Sequence, residues 1–369
     1  RELVGMDRRH VYVFIGFAFM LYNSLYQYSW NAVYPLLLDR FNRYELDLIF
    51  STFVVVSSIA QVLGGVIADY LGVRTTAVVS ALMASLGWLL SSFAYSLPLF
   101  LAVWALGSAG EGTLYGIAVN LAAKWFAERR GFYVGLVSLG FGLGAVIANP
   151  LILAQHQYYY VALTVGLTGL VLLTPLGLLV SYPSGLTGKS PIKTVSDANF
   201  WLIYFSFVIS TLPLLYLSSS LYEVVKGTPV EVLAISLFPL ASGLGRPIFG
   251  RVSDSLGRKQ SLFLVMAVEA VGVLALLGNP VMKLVGSILV GVSGGAMLTL
   301  FMTFVTDVFG ARYSTANVGI LYTGKALTGV VLSILEALAL PTLGFAAFPL
   351  LGMLGLYPVR PLESDKGVK

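Results

Sequence analysis

Residues 242–259 read SGLGRPIFGRVSDSLGRK. An apolar run, PVEVLAISLFPLA, precedes them and another, SLFLVMAV, follows. The stretch therefore predicts the end of one membrane helix, a tight charged turn and the start of the next. It carries two separate signals. Arg246 stands within the apolar region. The turn carries the pattern Gly250-x-x-x-Asp254-x-x-Gly257-Arg258-Lys259.

The whole chain supports a membrane setting. Of its 369 residues 57% are hydrophobic and only 11% charged, with a mean hydropathy of +0.87. Soluble domains carry about 25% charged residues, and a soluble protein of this size could not bury so much apolar surface. Glycine, at 39 residues, suits closely packed membrane helices. The absence of cysteine excludes disulfides and thiolate metal sites. The two histidines, His10 and His156, are too isolated to form a metal centre, and no cofactor is implied. The net charge of +5 is spread over short loops, which reads as membrane topology rather than nucleic-acid binding. The first apolar run is too long for a signal-peptide core, and no small-residue cleavage site follows it.

At about 20 apolar residues per crossing, twelve spans are predicted: 11–38, 45–70, 75–96, 98–123, 132–155, 158–181, 199–224, 229–253, 260–278, 281–307, 314–338 and 340–358. The runs are continuous, unlike the alternating ten-residue segments of a membrane barrel. With the N-terminus inside, sixteen of the 22 lysines and arginines fall on the inner side. These include Arg1, Arg8 and Arg9 near one end and Arg360, Lys366 and Lys369 near the other. Arg40, Arg43, Lys226 and Lys283 fall outside, and Arg246 and Lys325 lie within spans. The asymmetry predicts cytoplasmic termini in a multi-pass protein of the plasma (inner) membrane.

Residues 182–199, YPSGLTGKSPIKTVSDAN, form the longest polar stretch and read as a loop. The expected organisation is an N-terminal bundle of six helices (1–181), a cytoplasmic linker (182–198) and a C-terminal bundle of six (199–369). An internal repeat agrees with that division. Gly65-x-x-x-Asp69-x-x-Gly72-x-Arg74 matches Gly250-x-x-x-Asp254-x-x-Gly257-x-Lys259 at an offset of 185 residues, half the chain. Six plus six helices with a parallel repeat is a transporter architecture.

The repeated turn resembles the signature of the major facilitator superfamily, Gly-x-x-x-Asp-Arg/Lys-x-Gly-Arg-Arg/Lys. It departs from that signature at Tyr70 and Val73 in the first copy and at Ser255 in the second. A narrower resemblance rests on KWFAERRG at 124–131 followed by GFGLGA at 140–145, on DVFGAR at 307–312 followed by GILYTGKA at 319–326, and on QYSW at 27–30. These blocks resemble the oxalate/formate antiporter family and related monocarboxylate transporters. The resemblance implies an all-α membrane protein of the major facilitator fold, twelve helices in two six-helix bundles, moving small organic anions by alternating access. It implies substrate near the midplane, held by an arginine of helix 8 and a lysine of helix 11. Arg246 and Lys325 match those positions.

The residues support this independently. A cation at the centre of a spanning helix costs roughly 2.5–3.5 kcal/mol on an insertion scale, a cost tolerable where it faces water or an anion. Arginine grips a carboxylate through a planar fork and lysine supplies a compact charge. The competing reading pairs each cation with an acid in the bundle, Glu269 or Glu336. Gln27, Tyr28, Tyr115 and Tyr322 are candidates to complete a pocket for a small carboxylate, although any one tyrosine could equally pack in the core. Tyr322 shares a helix face with Lys325. Glu111, in the middle of a span, is the candidate proton carrier for a symporter. The alternative reading ties it to a buried cation or to backbone. Asp69, Arg74, Asp254, Arg258 and Lys259 are candidates for a cytoplasmic gate, or else serve topology and turn geometry alone. Gly140, Gly142 and Gly144 do not match a nucleotide loop and predict close helix packing.

The expected activity is secondary active transport of oxalate-, formate-, lactate- or pyruvate-like carboxylates, as an antiporter or a proton-coupled symporter. The expected partners are that substrate, protons or a counter-transported anion, and the lipid bilayer, with the chain working as a monomer. The alternatives are an exporter of another small molecule or a non-transporting membrane sensor. An enzyme is not expected, since no His, Asp or Cys cluster is available for catalysis.

Overall fold

A computed structural model describes residues 9–359, with the side chains of residues 31 and 222 left aside. Arg1, Arg8, Arg360, Lys366 and Lys369, and with them both chain termini, lie outside the described residues. The described chain is helical, without a strand. In order it forms α1 (His10–Gln27), α2 (Trp30–Leu37), α3 (Arg43–Leu71), α4 (Val73–Ser91), α5 (Leu97–Trp125), α6 (Arg130–Leu153), α7 (Tyr158–Leu178), α8 (Pro191–Val195), α9 (Ala198–Ser210), α10 (Leu212–Val225), α11 (Glu231–Leu256), α12 (Arg258–Ala275), α13 (Pro280–Phe309), α14 (Ser314–Ala337) and α15 (Ala347–Leu356). Short 3-10 turns precede α6 and α15.

Among the described residues nine helical segments are long and apolar enough to cross a membrane. They include one that runs through α9 and α10 as a single segment. The remaining predicted spans fall on α1 with α2, on α12, and on the 3-10 turn with α15. Two spans expected to be continuous are interrupted. The first breaks at Tyr28 and Ser29 and the seventh at Thr211. Pro213, at the start of α10, has no N–H to bond the Ile209 carbonyl and its ring crowds that carbonyl, which interrupts the ladder at Thr211. The stretch expected as a loop between the halves contains the five-residue helix α8, which starts at Pro191, where the missing N–H costs nothing.

The chain divides into two compact units, residues 1–127 with 136–186, and residues 128–135 with 187–369. In the first, α5 packs against α1, α3 and α4, and α4 against α7. In the second, α13 packs against α11 and α12, and α9 against α15. Glycines set these approaches. A Cβ on Gly112 would lie 2.1 Å from the Ser57 carbonyl oxygen, and one on Gly295 would lie 2.0 Å from that of Ser242. Gly140 and Gly144 do what their spacing suggested, seating α6 on the Phe17 and Leu21 carbonyls of α1.

Both copies of the repeated motif have one design. Only Gly72 separates α3 from α4, and only Gly257 separates α11 from α12. Their φ values of +123° and +97° lie where other residues are strained. The turn is thus a single residue, and Asp69 and Asp254 sit in the last helical turn before it.

The end of the linker is clamped to the second unit. Lys189 N–H donates to the Phe309 carbonyl at 2.7 Å, and Arg312 N–H to that of Thr187 at 3.1 Å. The Lys189 ammonium reaches Asp197 at 2.7 Å, and this hydrogen bond holds the Asp197 carboxyl below its ordinary 3.8. A depressed carboxyl contributes stability above its unfolded value and loses it as pH falls through the folded one. Asp197→Asn is therefore expected to flatten the dependence of stability on pH below about 3.8, read by thermal unfolding in detergent across that range. In the same assay Gly295→Ala is expected to cost about 1–3 kcal/mol or more. Gly329→Ala, where a Cβ meets nothing within 4 Å, is expected to be neutral or to gain about 0.5–1 kcal/mol.

Candidate functional site

Arg246 is 3% exposed, inside α11. Pro247 follows it and lacks an N–H, so the helix omits one ladder bond beside the arginine. Neighbouring backbones fix its position. A Cβ on Gly245 would lie 2.2 Å from the Val292 carbonyl oxygen of α13, and one on Gly135 of α6 would lie 2.4 Å from the Arg246 carbonyl oxygen itself. The main chain carrying the guanidinium is thus approached from two sides, by Gly135 of α6 and by the Val292 backbone of α13, which Gly245 of its own helix admits.

Lys325 is half-buried on α14. Its ammonium lies 5.6 Å from the centre of the Tyr322 ring, within cation–π reach, as their spacing on one helix face predicted. Arg246 and Lys325 stand on different helices of the same unit. Neither acid considered as their partner is hydrogen-bonded to Arg246 or Lys325 among the described residues. Glu336 accepts from the Ser219 and Ser220 hydroxyls at 3.2 and 3.4 Å. Glu269 is fully buried, with neither carboxylate oxygen hydrogen-bonded among the described residues.

In the first unit Tyr28 and Tyr115 meet on Phe141, whose ring centre is 5.2 Å from each of theirs. Tyr115 is buried, whereas Tyr28 is 40% exposed where α1 ends. Gln27 is half-buried at the same helix end. Glu111 is buried on α5, accepting a hydrogen bond from the Ser57 hydroxyl. Its carbonyl accepts from the Asn23 side chain at 3.0 Å. Phe141, Ser57 and Asn23 had no role in the sequence reading. Only Phe141 lay in a quoted block.

The two copies of the turn motif hold different partners. Asp69 forms an ion pair with Lys124 of α5 at 2.6 Å, with side chains 0% and 1% exposed. The Lys124 ammonium also lies 4.0 Å from the Tyr182 ring centre. Asp254 accepts from the N–H groups of Gly131 and Phe132 at 2.8 and 2.9 Å. It caps the first turn of α6, where the helix dipole favours an anion. Arg258 donates to Asp254 at 2.6 Å and to Asp307 of α13 at 2.8 Å, and Arg130 pairs with the other oxygen of Asp307. The first glycine of the motif admits this approach, since a Cβ on Gly250 would lie 2.1 Å from the Gly131 carbonyl oxygen. Lys259 takes a different direction, toward the Tyr357 and Val359 carbonyls. Arg74 is exposed. Lys124, Arg130 and Asp307 were quoted from the sequence without roles. Among the described residues no cluster of His, Asp and Glu could hold a metal ion.

The Major Facilitator Superfamily profile matches residues 11–327 and 204–365, and the chain belongs to that superfamily. It is a multi-pass membrane transporter, not an enzyme. The chain is similar to an uncharacterized 38 kDa protein encoded in the 23S RNA operon of Thermoproteus tenax, 43% identical over 95% of this chain and 90% of that protein. It is also similar to the oxalate:formate antiporter of Oxalobacter formigenes, 28% identical over 88% of this chain and 83% of that protein. Among solved structures the fold is shared with the fucose:proton symporter of E. coli, with a TM-score of 0.70 at 15% identity, covering 94% of this chain and 96% of that one.

The difference between the motif copies has a measurable consequence. Asp69→Ala strands a buried lysine and is expected to cost about 3–5 kcal/mol. Asp254→Ala, at a site whose carboxylate is 10% exposed, is expected to cost on the order of 2 kcal/mol. Thermal unfolding of the two variants in detergent compares them directly.

Proposed function

We propose that this transporter carries small organic anions of the oxalate, formate, lactate or pyruvate type by alternating access. The carrying observation is Arg246, a guanidinium buried in the middle of a spanning helix whose backbone is held rigidly by Gly135 and Gly245. A buried arginine positioned in this way suits an anion that approaches it with two oxygens. Lys325, half-buried beside Tyr322, supplies the second charge. Similarity to the oxalate:formate antiporter supports the same substrate class.

In this reading Tyr28, Tyr115 and Tyr322 contribute ring faces and hydroxyls to the anion, and Gln27 its amide. Of the candidate gate residues, Asp254 and Arg258 with their partners Arg130 and Asp307 form the cytoplasmic gate, while Asp69, Arg74 and Lys259 serve packing and topology. The protein works as a monomer in the plasma (inner) membrane with both termini inside. Two cations and one mobile anion favour exchange, because an empty site bearing two charges resists reorientation. Proton symport would instead use Glu111, buried beside the Ser57 hydroxyl.

The test is uptake of labelled oxalate, formate, lactate and pyruvate into proteoliposomes, with internal counter-anion or with a proton gradient. Uptake of at least one is expected, and failure with all four overturns the substrate class. Stimulation by counter-anion identifies exchange, and stimulation by the gradient identifies symport. Arg246→Lys keeps the charge but loses the fork. It is expected to lower transport about tenfold or more, the equivalent of one charge-assisted hydrogen bond. An unchanged rate would remove Arg246 from the substrate.

A further inference from the structure

Along α9, the residues Ala198, Trp201, Phe205 and Ile209 line one side of an open groove of about 350 Å³. Leu351 and Gly355 of α15 line the other. The groove exists because position 355 has no side chain. A Cβ there would lie 2.6 Å from the Ser206 hydroxyl, which forms the floor and is buried without a hydrogen-bond partner among the described residues. Otherwise the lining is apolar. From Ala198 to Ile209 the helix rises about 16 Å, close to half of a hydrocarbon core of about 30 Å.

The mouth of the groove is basic and aromatic. Trp201 is 41% exposed, and its indole N–H donates to the Val195 carbonyl of α8 at 2.8 Å. This ties α8 to the groove and leaves a tryptophan at the boundary where such rings settle. Lys193, two residues before Val195, is exposed. On the other rim the Lys259 ammonium sits on the carbonyls that follow α15, reaching Val359 at 3.0 Å. Lys193 thus stands two residues from the carbonyl that Trp201 holds, and Lys259 sits on carbonyls two and four residues past Gly355, at the α8 end of an apolar slot about one leaflet deep.

We propose that this groove is a binding site for an anionic phospholipid of the adjoining leaflet. One acyl chain lies between α9 and α15 over Ser206, and the headgroup is held at Lys193 and Lys259. Charge complementarity at the mouth and the depth of one leaflet select this occupant. The inference does not depend on which substrate is carried.

Trp201 reports on the groove directly. The protein is reconstituted in phosphatidylcholine vesicles containing increasing fractions of phosphatidylglycerol or phosphatidylcholine brominated on the acyl chains. Its tryptophan fluorescence is followed, with Trp201→Phe measured in parallel to subtract the other tryptophans. The Trp201 signal is expected to be half-quenched at a fraction of brominated phosphatidylglycerol about fivefold lower than that of brominated phosphatidylcholine. Lys193→Gln, an exposed change whose folding is checked by circular dichroism, is expected to reduce that preference. Equal quenching by the two lipids would make the groove an ordinary lipid contact and overturn the proposal. The absence of Trp201 quenching by either lipid would also overturn it, as would an undiminished preference in Lys193→Gln.

Discussion

Helices inside a bilayer gain little from excluding one another from water, because lipid tails are as apolar as their side chains. Close backbone contact takes over that role, and the whole arrangement depends on it. Gly112 against Ser57, Gly295 against Ser242 and Gly131 against Gly250 bring main chains together where any Cβ would collide. The same device holds the charged residues in place. Arg246 sits between Gly135 and the Gly245–Val292 contact, so its guanidinium projects from a backbone with little freedom to retreat. A long, flexible side chain has fewer positions open to it when its attachment point is fixed, and here glycine does the fixing.

The repeated motif shows how one local design takes on different electrostatic work. Each copy has a glycine with positive φ as the entire turn and an aspartate one helical turn before it. In the first copy the aspartate pairs with a buried lysine. In the second it is shared between two backbone N–H groups and an arginine that also reaches Asp307. A fully desolvated ion pair is all-or-none, because either ion alone is strongly penalised. A partly solvated network of several weaker bonds can be dismantled in steps. On the proposed gating role, the second copy is therefore the one suited to open and close, and the first to brace its own unit.

The parts of this structure legible in the sequence are those written in single segments. Continuous apolar runs marked the helices, the 185-residue repeat marked equivalent turns, and a cation in an apolar run marked Arg246. The i, i+3 spacing placed Lys325 beside Tyr322 because a helix fixes that geometry by itself. The break at Tyr28 was not legible, since neither Tyr28 nor Ser29 is a proline or glycine. The break at Thr211 was written in Pro213, two residues on, which has no N–H for the Ile209 carbonyl. The partners of the motif aspartates were hidden for a different reason. Lys124 lies 55 positions from Asp69 and Gly131 lies 123 from Asp254, so only the packing of α5 and α6 identifies them.

That packing gives the second copy's glycine a further meaning. Gly250 is the first residue of the signature, yet in this structure it does nothing for the turn, which Gly257 makes alone. Its lack of a side chain lets the start of α6 come within hydrogen-bonding distance of Asp254, four residues on. Glycine and aspartate are thus one device on one helix face. The first clears the space and the second fills the dipole that enters it. Four residues further upstream the same helix carries Arg246, whose carbonyl lies against Gly135 of the same α6. The first turns of α6 therefore touch both the capped aspartate and the backbone of Arg246. Residues 131–135 cannot change their seating on α11 without disturbing the cap of Asp254 and the backbone contact of Arg246 together.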